Sequence, residues 1–124
     1  MAGEPILIVD DNPINLKLVK VLLTVECYEV RTAMDADDAL AVLKTFQPRL
    51  ILMDLQLPGM DGLTLVRKLK TDSKFQDTII LAVTAYAMKG DEEKALAAGC
   101  DGYITKPIDT VALPKIIASY LQIR

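Results

Sequence analysis

Five polar side chains stand where apolar runs of this 124-residue chain stop. The run 6–9 ends in Asp10-Asp11, 50–53 in Asp54, 79–83 in Thr84, and the mixed run 102–105 in Lys106. If these runs are neighbouring parallel strands, three carboxylates, a hydroxyl and an ammonium meet at one edge, where open α/β sheets place their ligands. Three ionised carboxylates about 5 Å apart repel by roughly 3 kcal/mol per pair at an effective dielectric near 20, more than a single Lys offsets. Such a set calls for a cation, and oxygen-only ligands suit a hard divalent ion, Mg²⁺ first and Mn²⁺ as a substitute. With charge so neutralised, one carboxylate can act as a nucleophile toward phosphorus while Thr84 and Lys106 hold phosphoryl oxygens. Asp54 is the candidate acceptor because it stands alone at its strand end. Asp10 and Asp11 share a turn better suited to a metal and its waters.

The elements that must position these residues are legible in the hydrophobic pattern. The runs 6–9, 50–53 and 79–83 are Ile/Leu/Val-rich, short and non-alternating, as strands covered on both faces are. Segments 28–32 and 102–105 mix polar and apolar residues and read as more exposed strands. Helical spacing lies between and after them: Leu16, Val19 and Leu23; Ala39, Leu40 and Leu43; Leu63, Val66 and Leu69; Ala95, Leu96 and Ala98; Ile116, Ile117 and Tyr120. The reading is βα repeated five times, a flavodoxin-like doubly wound (βα)5 α/β sandwich with a parallel five-stranded sheet in the order 2-1-3-4-5, one domain over 1–124.

Local chemistry agrees. Asn12-Pro13 is an N-cap followed by Pro at the first helical position, and Asp35 with Asp38 resembles a capping arrangement, so the acidic run Asp35, Asp37, Asp38 reads as a helix start rather than a metal site. Gly90 opens and Gly99 closes the fourth helix, and 86–89 before it is expected to be loosely held. Pro114 lies beyond the first turn of a helix capped at Asp109, which points to a later or kinked start. Gly62 and Pro58-Gly59 read as loop geometry, Asp61 as a surface or capping acid, and Met53, Met60 and Met88 as packing residues.

Composition narrows the chemistry. With 17 acidic and 14 basic residues the chain carries no excess positive charge for nucleic acid or an anionic membrane. The absence of His removes the usual metal ligand of zinc enzymes and the base of Ser-His-Asp or Cys-His hydrolases. Cys27 and Cys100 are isolated, are read as small buried apolar residues, and suit a reducing cytoplasm. No basic leader precedes the first apolar run and no run approaches the ~20 residues of a membrane span, so neither export nor anchoring is expected.

The motifs ILIVDDN, LILMDLQLPGMDG, VTA and GYITKP, in this order, resemble the receiver domains of two-component response regulators, the CheY-like superfamily, across essentially the whole chain. The resemblance implies that Asp54 is phosphorylated by a histidine kinase or a histidine phosphotransfer protein. It implies Mg²⁺ held by Asp11, Asp54 and the backbone carbonyl of Gln56, with Asp10 acting through water, and Thr84 and Lys106 on the phosphoryl group. It further implies a cis peptide between Lys106 and Pro107, a switch in which Thr84 and Tyr103 move together, and a partner face formed by the fourth helix, fifth strand and fifth helix. Gln56 and Tyr86 border the path of a hydrolytic water in similar receivers. Bulky Tyr86 without a carboxylate and the long Gln56 lead to the expectation of a slowly decaying phosphorylated form.

Other functions fit less well. A flavodoxin-type cofactor binder needs a Ser/Thr/Gly-rich phosphate loop after the first strand, where this chain has Asp10-Asp11-Asn12-Pro13. A phosphatase resembling haloacid dehalogenase-type enzymes needs a second acid two residues after the nucleophile, and that position is Gln56. A scaffold indifferent to phosphate needs none of the acid, Thr and Lys set. With the sequence ending at Arg124, just after the last helical pattern, the expectation is a stand-alone regulator, similar to single-domain chemotaxis or DivK-like regulators, with output through protein contacts and no direct nucleic-acid or membrane partner.

Overall fold

Alternating side chains in the strands sort the apolar residues into two cores. In a computed structural model, which describes residues 3–56, 62–84, 90–106 and 108–123, Ile6 and Ile8 face one core and Leu7 and Val9 the other. The strands are β1 (Pro5–Val9), β2 (Glu29–Ala33), β3 (Leu50–Asp54), β4 (Ile79–Thr84) and β5 (Gly102–Thr105). They pair in parallel in the order β2-β1-β3-β4-β5. The interior strands β3 and β4 are buried along their whole length, while the edge strand β2 alternates toward solvent. That difference is why the interior strands read as solid apolar runs.

The helices are α1 (Pro13–Val25), α2 (Ala36–Leu43), α3 (Gly62–Lys70), α4 (Asp91–Ala98) and α5 (Ala112–Ile123), with a single 3₁₀ turn at Ser73–Phe75. Leu16, Val19 and Leu23 of α1 join Leu113, Ile117 and Leu121 of α5 on one face of the sheet. On the other, α2 and α3 supply Ala39, Leu43, Leu65, Val66 and Leu69, and α4 supplies Ala95 and Ala98. None of the described helices is long and apolar enough to cross a membrane.

The caps form as the spacing predicts. Asn12 accepts from the Ile14 and Asn15 amides, and Asp35 accepts from Asp38 N. Gly99 closes α4 with φ +116°. Asp109 accepts from the Val111 and Ala112 amides, but the regular helix starts only at Ala112, so the start is the later of the two expected around Pro114.

Three expectations fail. Cys27 is exposed, not buried. It ends α1 in the left-handed region at φ +71°, with its N–H on Thr24 O and Tyr28 N on Leu23 O. That is a Schellman cap with a non-glycine residue in the position that favours glycine. Cys100 is buried, and burial followed by the Asp101 charge pushes its thiol up to about 11. Leu96 points outward, because the small Ala95 and Ala98 carry the inward face of α4. Gly62 is not in a loop but opens α3, and a Cβ there would stand 2.6 Å from the backbone oxygen of Asp54. Only glycine lets α3 seat this closely on the end of β3. Pro58, Gly59, Met60, Asp61, residues 85–89 and Pro107 lie outside the described residues.

Candidate functional site

Hydrogen bonds of the sheet run one residue past several strand ends, and this fixes the site. Asp10 N donates to Ala33 O at 3.0 Å, Leu55 N to Val83 O at 3.0 Å, and Lys106 N to Thr84 O at 2.7 Å. Asp10, Asp54 and Thr84 are therefore held on rigid backbone and are 5%, 2% and 3% exposed. Carboxylate oxygens of Asp10, Asp11 and Asp54 lie within 4.8 Å of one another, and Asp11 opens the cluster to solvent. The Lys106 ammonium reaches Asp54 Oδ2 at 3.1 Å and Asp10 Oδ2 at 3.4 Å.

The two buried acids are oriented by backbone amides two residues on. Asn12 N donates to Asp10 Oδ1 at 2.9 Å, and Gln56 N donates to Asp54 Oδ1 at 2.9 Å. Asp54 thus keeps one oxygen on a backbone amide and the other on an ammonium. Burial raises the pKa of Asp10, and the nearby Asp54 charge adds to this, against the Asn12 amide and Lys106. For Lys106 burial alone lowers the pKa, but the hydrogen bond and charge of Asp54, followed by those of Asp10, outweigh it and the net shift is upward. The proton stays on Lys106, and Asp10 registers the burial and crowding as an upward shift.

A donor set of three close carboxylates fits a hard divalent cation, since every ligand atom is oxygen and the local charge stays negative even beside the Lys106 ammonium. Sequence reasoning placed Asp10, Asp11, Asp54, Thr84 and Lys106 at this edge, and all five are there. It treated Gln56 as a carbonyl and a steric neighbour. Its side chain also reaches across to β4, where Nε2 donates to Thr84 Oγ1 at 3.4 Å. Tyr103 of β5 is half-buried and packs partly against the α2, α3 and α4 core. Tyr86 and the Lys106–Pro107 peptide lie outside the described residues.

A second feature escaped the periodicity. Ile14, Leu18, Val21 and Val25 form an exposed apolar stripe along α1, opposite its buried face and beginning beside the acid pair. A groove of about 340 Å³ lined by Tyr103, Ile104, Ile108, Leu113 and Ile116 lies between β5 and α5.

The chain matches the response regulator receiver domain over residues 6–118. It is 41% identical over 118 residues to the polar-differentiation response regulator DivK of Brucella anthropi, spanning 95% of this chain and 96% of that protein. Its fold is similar to that of a CheY-like receiver domain protein from Methanospirillum hungatei, with a TM-score of 0.90, 34% identity, and coverage of 98% and 95% of the two chains. It is also similar to the receiver domain of a sensor histidine kinase from Pseudomonas aeruginosa, solved with a magnesium ion coordinated in its active site cleft, at a TM-score of 0.87, 32% identity, and coverage of 98% and 99%. The order of the strands, the acids at their carboxyl ends and these likenesses lead to one conclusion: this chain belongs to the response regulator receiver domain family.

Proposed function

We propose that Asp54 accepts a phosphoryl group from a histidine kinase or a histidine phosphotransfer protein, and that the chain catalyses only its own phosphorylation and dephosphorylation. The supporting observation is the setting of Asp54: buried, held by an amide at 2.9 Å and an ammonium at 3.1 Å, with two further carboxylates within 4.8 Å. A carboxylate oxygen of Asp54 forms the new bond to phosphorus as the donor's N–P bond breaks, giving an acyl phosphate and a neutral imidazole. Lys106, whose proton the Asp54 and Asp10 carboxylates favour, pairs with a phosphoryl oxygen, and the Thr84 hydroxyl donates to another. Asp11, Asp54 and the Gln56 carbonyl would hold Mg²⁺, or Mn²⁺, with Asp10 acting through water. When bound, that ion supplies charge neutralisation for the incoming phosphoryl oxygens.

In this reading the donor docks along the α1 stripe, which starts at Ile14 beside the acid pair and offers apolar contact next to the acceptor. Phosphorylation draws Thr84 inward, repopulates two arrangements of Tyr103, and changes the α4, β5 and α5 face toward a downstream protein. Neither nucleic acid nor membrane takes part directly, and the protein works in the cytoplasm. Tyr86 and Gln56 slow hydrolysis of the acyl phosphate.

Incubation with acetyl phosphate and Mg²⁺ tests the assignment by mass spectrometry. One phosphoryl group is expected on the wild type, none on Asp54→Asn, and none after chelation. Labelling of Asp54→Asn at the wild-type rate would refute it.

A further inference from the structure

Gln56 touches both ends of the site. Its N–H donates to Asp54 Oδ1 at 2.9 Å, and its side-chain Nε2 donates to Thr84 Oγ1 at 3.4 Å. We infer that the Gln56 carboxamide is a latch: a positioning residue that holds the Thr84 hydroxyl in its unphosphorylated arrangement and so sets how readily the receiver switches. The inference rests on the phosphoacceptor reading of Asp54.

The argument turns on what each partner is free to do. The Gln56 backbone is tied to Asp54 Oδ1, and the preceding Leu55 N is tied to Val83 O at 3.0 Å, so the amide cannot travel far. Thr84 ends its strand, and a phosphoryl group on Asp54 would add three strong acceptor oxygens that attract its hydroxyl proton. The Gln56–Thr84 bond is already near the upper limit of hydrogen-bond length, so a recession of a few tenths of an ångström ends it. A contact made in one state and lost in the other is what biases a two-state equilibrium. One net hydrogen bond shifts such a balance by about two- to tenfold. Both length and donor are required. Asn is one methylene too short to span the distance, and Met matches the length without an N–H.

The test is a double-mutant cycle between Gln56→Met and Thr84→Ala, read by urea unfolding of the unphosphorylated protein. Gln56→Asn serves as a second route to breaking the bond. A latch gives non-additive effects, a coupling of about two- to tenfold in the unfolding constant for either Gln56 variant. It also moves the Thr84 methyl resonance and the β5 amide resonances of unphosphorylated Gln56→Met and Gln56→Asn toward their positions in the phosphorylated wild type. Additive effects, with both variants at wild-type resonance positions, would overturn the latch even in a protein that labels normally on Asp54. Coupling in a chain that labels elsewhere would instead strike the phosphoacceptor reading and leave the Gln56–Thr84 tie standing.

Discussion

Replacing Asp10 by Asn removes one charge from a cluster whose carboxylate oxygens lie within 4.8 Å of one another. Two unit charges at that distance repel by about 3.5 kcal/mol at an effective dielectric near 20, so Asp54 and Asp11 together oppose Asp10 by at least about 7 kcal/mol before screening. Lys106, at 3.4 Å, returns about 5 kcal/mol on the same scale. Solvent around the exposed Asp11 screens its share, and desolvation of the 5%-exposed Asp10 adds to the unfavourable side. The balance is a net strain that the carboxamide relieves, since its oxygen can still accept from Asn12 N. We expect about 1–2 kcal/mol of added stability in metal-free buffer at pH 7. With an unfolding entropy of about 2.1 cal/mol/K per residue, that raises the Tm by about 4–8 °C.

The pH dependence follows from the direction of the shift. Because burial raises the pKa of Asp10, the folded chain binds this proton more tightly than the unfolded chain does. Its contribution to stability is full below the ordinary value of 3.8 and is lost as pH rises through the raised folded value. The advantage of Asp10→Asn is therefore largest at neutral pH and fades as the wild type takes up that proton in acid. With Mg²⁺ in the proposed site the expected order reverses, since ligand at 100 times its Kd adds about 2.7 kcal/mol to a protein that binds it only when folded, and the variant has lost a carboxylate of that site. Thermal unfolding by circular dichroism, with chelator or with saturating Mg²⁺, checks both parts. A variant that melts at or below the wild type in chelator at pH 7 would refute the electrostatic reasoning.

Two further substitutions probe other features. Cys27→Gly relieves a left-handed residue at φ +71° and should raise the urea midpoint by an amount equivalent to about 0.5–1 kcal/mol, the strain relieved exceeding the extra freedom gained by the unfolded chain; a lower midpoint would count against the cap as drawn. Leu18→Lys on the α1 stripe should lower the ratio of transfer rate from a phosphorylated donor protein to labelling rate by acetyl phosphate by about tenfold, and an unchanged ratio would remove α1 from the docking surface.

The candidate site at the sheet edge was legible because it is written in one dimension. An apolar run that stops at Asp10, Asp54 or Thr84 marks both the strand and its end, and parallel winding then gathers the ends. The tie between Gln56 and Thr84 has no such signature. It joins side chains 28 positions apart, and only the pairing of Asp54 with Val83 brings them within reach. Leu96 misled for a different reason. Ala is nearly neutral in a hydrophobic pattern, so Ala95, Ala98 and Leu96 could not be ordered by periodicity, and the smaller residues took the inward face.

Helix α1 shows how a correct reading can still conceal a surface. The spacing of Leu16, Val19 and Leu23 identified the buried face, and all three are buried. The residues left over, Ile14, Leu18, Val21 and Val25, are also apolar and repeat at helical spacing, so the helix is hydrophobic on two sides. A helix apolar on two opposite sides normally buries both, yet the sheet covers only one side of α1. Leaving the other side in water costs solubility, and those side chains are members of neither core. The stripe begins at Ile14, two residues after the Asn12 cap that fixes the helix next to Asp10 and Asp11, so whatever covers it is brought up to the carboxylates as well. Under the proposed function a donor protein uses that same path to reach Asp54, so the stripe and the acceptor act there as one recognition surface, and the Leu18→Lys ratio tests it.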